Sequence, residues 1–416
     1  MSDEDKIASI DIHPKVLMVV VGAREEEAKA SEGKLQRRRF GTMASDRRSL
    51  LAWLQAQGVK EVVMESTGPY WKPIWWELEP YMRLHLAQAF SNRAPRGRKG
   101  DFRDAERLLR RLVAGELILS FVPDPEQRAW RTMTRTKTQL ARERVRLYSQ
   151  VDGLLQEMRI KLSNVLSDLF GASGLRILHA LAGGETDPKK LAALGDDRLK
   201  CTEEQLRDAL TGNVQAMQQE LLKLYLQRLE LVEEQTEKLE GMITQALKGH
   251  QEVVARIAEV PGFGPDSAQQ VIAEVGVQAS AFPSAGNLAS WVGTCPGQEE
   301  SGEKNRSSRS AKGNKYLRRL LTEAAQAAVK TKGSHFQAVF RRLLPRLGYK
   351  HALWAVAHHL CRMIWKILHD GVRYVEQGEY RDSKAKKQRA QTLARLLRKL
   401  GYEVKLTPIE PEAAKA

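Results

Sequence analysis

The chain of 416 residues is poor in cysteine. Its three cysteines, Cys201, Cys295 and Cys361, lie far apart and include no C-x-x-C pair. This spacing argues against a disulfide framework and against a zinc site built from paired cysteines. We therefore expect the three thiols to be reduced and to serve in packing.

Long apolar runs are also absent. No stretch approaches the ~20 consecutive apolar residues that cross a membrane as a helix. The N-terminal residues contain no apolar signal region. These two absences predict a cytoplasmic protein.

Acidic residues are the minority among the charged side chains, with 51 Asp and Glu against 67 Lys and Arg. The net charge is +16 and the isoelectric point is about 9.7. Such an excess suits a polyanionic partner, with nucleic acid as the first candidate and an acidic membrane surface as the alternative. The length allows two or three domains, each able to bury its own core.

Residues 1–115 alternate between strand and helix patterns. We expect strands near 6–12, 16–22, 35–41, 60–65 and 83–88, and helices near 45–57, 70–79 and 101–114. Three early strands, a helix and then strand–helix repeats is the order of an RNase H-like, or RuvC-like, sheet. The pattern becomes helical from residue 124 onward. The predicted fold class is therefore an α/β domain followed by mostly α-helical parts.

Four acidic residues within residues 1–115 lie at positions where a carboxylate needs a compensating positive charge. Asp11 interrupts one short apolar run, Glu65 ends another, and Asp101 and Asp104 share one face of a predicted helix. Converging carboxylates repel one another, and hard divalent cations prefer such oxygen ligands. The set predicts a site for two Mg²⁺ ions about 3.5–4 Å apart. Turn, strand-end and helix-capping roles are the alternative for each acid taken singly.

Two long helices are predicted in the middle of the chain, over residues 124–170 and 203–248. Apolar residues of the second helix recur near heptad spacing in two stripes that are out of register by one residue. The first stripe is Leu210, Val214, Met217, Leu221, Leu224 and Leu231, and the second is Tyr225, Leu229, Val232, Leu239, Ile243 and Leu247. The shift indicates either a stutter in one coiled coil or a helix that touches two neighbours. Both interpretations predict a helical stalk, which we expect to mediate dimerisation.

Basic clusters and a glycine-rich turn are candidate contacts to nucleic acid. The turn Gly262-Phe-Gly264 before a helix resembles a helix–hairpin–helix element, whose backbone N–H groups hold a phosphate. A solvated helix face or a flexible basic loop is the alternative for the clusters. The candidate contacts are Arg98, Lys99, Arg103, Arg128, Arg131, Arg135, Gly262, Gly264, Lys304, Arg306, Arg309, Lys312, Asn314 and Arg318.

Four short motifs in the distal half, taken together with the four acids, resemble a known family. The motifs are Val-Pro-Gly-Phe-Gly-Pro at 260–265, Ser-Trp-Val-Gly at 290–293, Ser-Gly at 301–302 and Lys-Gly-Asn-Lys-Tyr-Leu-Arg-Arg at 312–319. With Asp11, Glu65, Asp101 and Asp104, they are similar to the DEDD transposases of the IS110 type, more narrowly the IS1111 subgroup. These enzymes are RNA-guided bridge recombinases of bacterial insertion sequences. The resemblance spans nearly the whole chain.

The resemblance implies a domain order. It implies a RuvC-like metal-binding domain at 1–120, a helical linker and coiled-coil stalk at 121–250, a C-terminal transposase domain at 251–380 and a basic tail at 381–416. It also implies that Ser301 attacks DNA as a nucleophile, forming a phosphoserine, in a composite site with the Mg²⁺-binding acids. The implied partners are donor and target DNA, a non-coding bridge RNA and further copies of the chain, as a dimer and as a tetramer in a nucleoid-associated synaptic complex.

Other assignments stay open at this point. Ser307, Ser308 and Ser310 compete with Ser301, which is favoured because the glycine after it lets the backbone approach a phosphate. A RuvC-like endonuclease or junction resolvase that uses the four acids and water is the alternative activity. A non-catalytic scaffold for nucleic acid is a third class, and the intact acid set argues against it.

Overall fold

The computed structural model describes residues 6–24, 35–66, 68–92, 100–296, 299–301, 304–307, 310, 312–376 and 383–406. The chain forms two compact units, Met1–Pro123 and Asp124–Ala416. The predicted end of the first domain, residue 120, lies close to this division. The further predicted boundaries at 250 and 380 stay predictions.

The first unit is a sheet with helices. Its strands are β1 Lys6–Ile12, β2 Leu17–Ala23, β3 Gln36–Phe40, β4 Val59–Ser66, β5 Arg83–Ala87 and β6 Leu119–Ser120. Its α-helices are α1 Ala44–Ala56, α2 Trp71–Leu78 and α3 Asp101–Val113, and a 3₁₀ turn spans Ala89–Asn92. The sequence predicted all of these α-helices and the first five strands to within one or two residues.

The strand order is β3-β2-β1-β4-β5-β6. β1 is antiparallel to β2 but parallel to β4, β4 is parallel to β5, and β6 closes the edge antiparallel to β5. This mixed α/β arrangement is consistent with an RNase H-like domain, as predicted. Parallel neighbours require crossover connections, and α1 and α2 supply them.

Strand alternation divides the core of this unit between the two faces of the sheet. Ala8 and Ile10 of β1 pack with residues of α1 and α2. Ile7 faces the other way and packs against Leu109 of α3. Each large apolar side chain buried in this way contributes about 1.5–3 kcal/mol. The polar Ser9 also lies on the α3 side, where its hydroxyl donates to the carbonyl of Ala105 at 2.7 Å.

The second unit is mainly helical. Its helices are α4 Pro125–Glu157, α5 Leu162–Val165, α6 Ala172–Ala182, α7 Pro188–Ala192, α8 Glu203–Ala209, α9 Ala216–Ala246, α10 Gln251–Ala258, α11 Pro265–Val275, α12 Ala285–Val292, α13 Lys315–Ala328, α14 His335–Asp370 and α15 Ser383–Lys399. A two-stranded hairpin, β7 Glu299–Ser301 and β8 Lys304–Ser307, lies between α12 and α13. The sequence had predicted only a polar, basic loop there. No helix among the described residues is long and apolar enough to cross a membrane.

The prediction of one helix over 203–248 is wrong, because a non-helical segment separates α8 from α9. α9 instead packs along α4 within the same chain. Leu147 of α4 contacts Leu229 and Val232 of α9, while Leu154, later in α4, belongs to a cluster with Leu222, earlier in α9. The two helices are therefore antiparallel.

The two apolar stripes of α9 have different environments. Leu229, Val232 and Ile243 of the second stripe are buried. Met217, Leu224 and Leu231 of the first stripe are 60%, 54% and 51% exposed. The other members of the first stripe, Leu210, Val214 and Leu221, also pack against the core of the helical unit. Met217, Leu224 and Leu231 therefore form a row of large apolar side chains on the surface at seven-residue spacing.

Candidate active site

Two of the four predicted acids are neighbours across the sheet. Asp11 of β1 is paired in register with Glu65 of the parallel strand β4. Asp11 lies on the same face as Ser9, and Glu65 on the same face as Val63, which packs against Leu108 of α3. Both carboxylates are therefore on the face of the sheet that α3 covers.

Helix α3 carries the other two predicted acids. It begins at Asp101, with Gly100 as the N-cap, and Asp104 follows one turn later. The bond from Ser9 to Ala105 fixes this first turn over β1. The backbone thus places Asp101 and Asp104 in the turn that is anchored beside the strand carrying Asp11. The side chain of Asp101 lies outside the described parts of the molecule.

A network around Asn92 and Arg107 links Glu65 to Asp104. The Asn92 amide donates to Glu65 Oε2 at 2.5 Å and lies 3.4 Å from the Asp104 carbonyl oxygen. Arg107 Nη2 donates to Asp104 Oδ1 at 2.6 Å, and Arg107 Nε lies 3.1 Å from the Asn92 carbonyl oxygen. Sequence reasoning missed both residues. The three-residue spacing of Asp104 and Arg107 was the available signal, because it places them on one helix face.

The electrostatics show that Asp11, Glu65 and Asp104 form one cluster. Burial raises the pKa of Asp11, and the Asp104 carboxylate raises it further, while His13, with Nε2 3.2 Å from Asp11 Oδ2, opposes the rise. Burial also raises the pKa of Glu65, with added repulsion from Asp11 and Asp104, against the stabilising Asn92 hydrogen bond. Each ionised carboxylate therefore disfavours the others, and Arg107 offsets this only in part.

The donor chemistry of this cluster fits a divalent cation. Three carboxylates from β1, β4 and α3 repel one another, and a hard cation with oxygen ligands would neutralise that charge. Among the described residues, no group of three or more His, Cys, Asp or Glu side chains is arranged to enclose an ion. Asp11 faces His13 and Asp104 faces Arg107 instead. A cation site formed by Asp11, Glu65 and Asp104 stays a prediction, and so does Mg²⁺ as its ion.

A second carboxylate centre, in the helical unit, was not foreseen. Glu274 near the end of α11 has a side chain that is only 3% exposed. Arg135 of α4 binds it with both Nε and Nη2, at 2.7 and 2.8 Å, and the Asn314 amide donates to Oε2 at 2.7 Å. Arg131 Nε lies 3.5 Å from the same oxygen. An acid inside the apolar run Val271–Val275 was the signal for it.

Arg131 and Arg135 thus have structural roles. Arg131 also donates to the backbone carbonyls of Ala273 and Glu274, at 3.1 and 2.5 Å. Burial lowers the pKa of Arg131 to about 10, although Glu274 opposes the shift, so the guanidinium stays charged at neutral pH. Their contacts with Glu274 are enough to explain why basic residues cluster on this face of α4. Contact of either arginine with phosphate stays a prediction.

Two of the distal motifs, residues 290–293 and 312–319, meet around this centre. Gly313 lies against the end of α12, where an added Cβ would be 2.1 Å from the Val292 carbonyl oxygen. Asn314 caps α13 by accepting from the N–H groups of Tyr316 and Leu317. Arg318 donates to the Gly293 carbonyl and lies over the Trp354 ring, 4.6 Å from its centroid.

The glycine-rich turn at 260–265 is likewise shaped by packing. Gly262 has a φ of +93°, and an added Cβ there would be 2.1 Å from the Ala324 carbonyl oxygen of α13. The Gly264 N–H donates to the Ser267 hydroxyl at 2.8 Å. The close approach to Ala324 explains Gly262 without a ligand, whereas the φ of Gly264 is −128° and no atom of the described residues lies within 4 Å of where its Cβ would be. Phosphate binding by this turn stays a prediction.

The candidate nucleophile lies at the tip of the β7–β8 hairpin. Ser301 is the last residue of β7 and is paired with Lys304, the first residue of β8. Ser307, one of its rivals, ends β8. Ser310 is placed differently, because its hydroxyl accepts a 3.0 Å hydrogen bond from the Trp354 indole N–H. Ser308 lies outside the described residues.

The remaining predicted contacts to nucleic acid are spread over both units. Arg103 and Lys312 are exposed, and Arg128 is half-buried. Lys304 and Arg306 lie on β8. Arg98, Lys99 and Arg309 fall outside the described residues.

Two models of protein families match the chain. The model of the DEDD transposases of the IS110 group matches residues 10–160, a span that contains all four predicted acids. The model of the transposase IS116/IS110/IS902 family matches residues 254–341, a span that contains Ser301 and the distal motifs.

Individual relatives are also transposases by name. A probable family 20 transposase of Pseudomonas aeruginosa is 28% identical over 315 residues, which cover 74% of this chain and 83% of the relative. A putative transposase of Sinorhizobium fredii is 22% identical over 337 residues, covering 79% and 78%. The transposase for insertion sequence element IS1111A of Coxiella burnetii is 26% identical over 268 residues, covering 64% and 63%.

Proposed function

Because the chain belongs to the DEDD transposases of the IS110 family and is the DNA transposase of an insertion sequence, we propose that it cuts and rejoins DNA with Ser301 as nucleophile. In this proposal, the metal-binding half of the site is formed by the acids Asp11, Glu65, Asp101 and Asp104. The observation that carries the acidic half is the convergence of Asp11, Glu65 and Asp104 on one face of the sheet, where Asp104 raises the pKa of Asp11, and Asp11 and Asp104 raise the pKa of Glu65.

The protein residues around the acids have defined tasks in this proposal. Asn92 and Arg107 hold Glu65 and Asp104 in position, and His13 orients the carboxylate of Asp11. A divalent cation bound there, with Mg²⁺ as the preferred ion and two ions as the proposed number, would supply positive charge beside the reacting phosphate. IS110-type DEDD transposases are generally metal-dependent, which agrees with the acidic composition of the cluster.

The serine step conserves the energy of the phosphodiester bond. The Ser301 hydroxyl attacks phosphorus, the bond from phosphorus to one strand end breaks, and the strand leaves as a free hydroxyl. The proton lost by the Ser301 hydroxyl passes through water to the oxygen of the leaving strand. The hydroxyl of a second strand then displaces Ser301 and joins the DNA. Ser301 and the acids would meet in the assembled complex of several protomers.

The partners in this proposal are donor DNA, target DNA and a non-coding bridge RNA that pairs with both. Base pairing would read the sequence, while basic residues neutralise the backbones. The net charge of +16 and the exposed Arg103 and Lys312 support the neutralisation of nucleic-acid backbones by the protein. Lys304 and Arg306, on the strand paired with the Ser301 strand, are proposed to face the phosphate under attack. Such a protein would act at the nucleoid in the cytoplasm.

A second copy of the chain is proposed to cover the exposed stripe Met217, Leu224 and Leu231. The row has the heptad spacing of a coiled-coil seam and has no cover among the described residues. It would join two copies into a dimer, and two dimers would form the synaptic tetramer. Leu224→Lys should then dissociate the dimer in light scattering without lowering the melting temperature, since Leu224 contributes little to the packing of a single chain.

Leu222 of the same helix is the matched control, because it is fully buried against α4. Leu222→Lys should unfold the helical unit by forcing a charge into its core. An unchanged mass for Leu224→Lys at low micromolar concentration would exclude this stripe as the contact between copies.

The nucleophile is tested by trapping the covalent intermediate. With DNA that carries both recombination sites, and with the cognate RNA, denaturing gels should show a protein–DNA adduct whose linked peptide contains Ser301. Ser301→Ala should abolish the adduct and the recombinant product. Ser310→Ala is the control, since the Ser310 hydroxyl already accepts a hydrogen bond from Trp354. This variant should still form the adduct.

A water-using endonuclease of the RuvC type would behave differently. It would leave free strand ends and no adduct, and Ser301→Ala would still cut DNA. An adduct that persists in Ser301→Ala and maps to Ser307 or Ser308 would keep the chemistry and reassign the residue.

A further inference from the structure

A cavity in the helical unit lies apart from Ser301 and the Glu274 centre. It is open to solvent and has a volume of about 700 Å³. His250 and Arg256 reach it from the start and the middle of α10, Gln278 and Ser280 from the segment after α11, and His369 and Asp370 from the end of α14. This volume lies within the range of pockets that hold small organic ligands, about 300–1,000 Å³, and suits a single nucleotide.

Arg256 is the residue that points to a ligand. Its Nε is buried and has no hydrogen-bond partner among the described residues. Its Nη1 lies against Gly371, 3.3 Å from where a Cβ would be, so the guanidinium sits at the rim of the cavity. A buried N–H group without an acceptor is costly, and an anionic oxygen bound in the cavity would supply the acceptor.

The lining of the cavity contains one guanidinium, that of Arg256, and one carboxylate, that of Asp370. The imidazoles of His250 and His369 lie beside them as hydrogen-bonding groups. Asp370 is already engaged, since its Oδ1 lies 3.0 Å from Nδ1 of His369. Among the described residues, the Arg256 guanidinium is paired with no acid, whereas the Asp370 carboxylate is paired with His369. An incoming anion can therefore bind Arg256 without displacing a carboxylate from it.

The wall of the cavity is held in an unusual conformation. Ala279, between the two lining residues Gln278 and Ser280, has a φ of +50°, in the left-handed region that residues other than glycine rarely adopt. Its carbonyl accepts from the Phe282 N–H at 2.9 Å, and the Phe282 carbonyl accepts from the Trp365 indole at 2.7 Å. Such conformations persist only where the surroundings enforce them, and they cluster at ligand-binding segments.

We propose that this cavity binds one nucleotide of a single strand of nucleic acid, with the phosphate on Arg256. Gln278 and Ser280 lie where they can bond the sugar or the base edge. The phosphodiester could come from a displaced DNA strand or from an RNA, and the two share the same chemistry at Arg256. The inference needs only a transposase that handles nucleic acid, and it depends neither on Ser301 as nucleophile nor on the guide role of the RNA.

The test measures binding of the full-length chain to 12-nucleotide single-stranded DNA and RNA of one sequence by fluorescence anisotropy, with EDTA present so that no strand is cut. Arg256→Gln should weaken binding and reduce the slope of log affinity against log salt by about 0.7, the value for one lost phosphate contact on a single strand. Arg346→Gln is the matched control, because Arg346 is an exposed arginine of α14 outside the cavity. It should leave the slope unchanged.

A second pair of variants keeps the test decisive if Arg256→Gln does not fold. Gln278→Glu adds a negative charge at the exposed mouth of the cavity, whereas Gln235→Glu adds the same charge on the exposed face of α9. Only Gln278→Glu should weaken binding. Weakening with DNA alone, RNA alone or both identifies the source of the strand. Equal affinity and slope for the cavity variants and their controls, with both strands, would overturn the proposal, whatever Ser301→Ala does to recombination.

Discussion

The two carboxylate centres of this protein are built in opposite ways. Glu274 in the helical unit is almost fully buried, yet Arg135 and Asn314 saturate its oxygens and Arg131 lies close by. Asp11, Glu65 and Asp104 in the sheet unit are more exposed, yet they repel one another and share one nearby arginine. A buried acid with matched donors holds helices together. A group of acids with too little compensating charge favours a cation, and with it a catalytic role.

The largest effect should come from neutralising one acid of the sheet unit. Asp11→Asn keeps the shape of the side chain but removes one charge from the proposed metal site, so recombination should fall by at least about a thousandfold, roughly 4 kcal/mol in the barrier. The melting temperature should not fall, because the variant removes repulsion. Recombination is measured with a plasmid assay and folding by circular dichroism. If this variant recombines DNA as well as the wild type does at physiological Mg²⁺, the acids of the sheet unit have no catalytic role that separates them from Glu274.

The next effect concerns Glu274. Glu274→Ala should lower the free energy of unfolding by about 3–5 kcal/mol, because it leaves Arg131 and Arg135 without their buried partner. Glu274→Gln keeps an oxygen acceptor and should cost less. Urea denaturation of the two variants measures both values. If Glu274→Ala unfolds like the wild type but recombines poorly, Glu274 belongs with the functional acids.

The smallest effect should appear in the dependence of stability on pH, measured with EDTA present. The pKa values of Asp11 and Glu65 in the folded protein lie above their ordinary values of 3.8 and 4.5. The folded state therefore takes up these protons before the unfolded state does as the pH falls. This contribution to the free energy of unfolding is fully present when the pH lies below the ordinary pKa values. It is lost as the pH rises through the raised pKa values of the folded protein.

Subtracting the Asp11→Asn curve from the wild-type curve isolates the contribution of Asp11 to that dependence. The wild type should gain stability relative to the variant as the pH is lowered through this window. A wild type that instead loses stability relative to Asp11→Asn over the same window would mean that Asp11 is stabilised in its ionised form.

The comparison also shows where sequence reasoning succeeded. Asp11 and Glu65 stood out because each interrupts or ends an apolar strand pattern, and period-two alternation then fixed the face on which they lie. The motif order led to the transposase family, which the family models support. Asn92 escaped notice because a bridging amide in a 3₁₀ turn has no periodic signature.

The basic helix α4 and the stalk show the opposite case. The spacing of Arg131 and Arg135 is the same whether they face phosphate or Glu274, and only the packing of α4 on α11 separates the two. The heptad pattern of Met217 and Leu224 likewise did not reveal that α4 covers the other stripe of α9, because a helix with two apolar stripes does not specify which one its own chain will bury.

The sequence by itself determined the first five strands and the α-helices of the first unit and led to the family, because these follow from local periodicity and from short motifs. The tertiary structure alone decided which charges are paired. It brought Glu274, Arg131, Arg135 and Asn314 together from α11, α4 and the start of α13, and it left Arg256 with a buried N–H group lacking a partner among the described residues. Charge pairing depends on distances between residues remote in sequence, and a pattern along one chain segment carries no information about them.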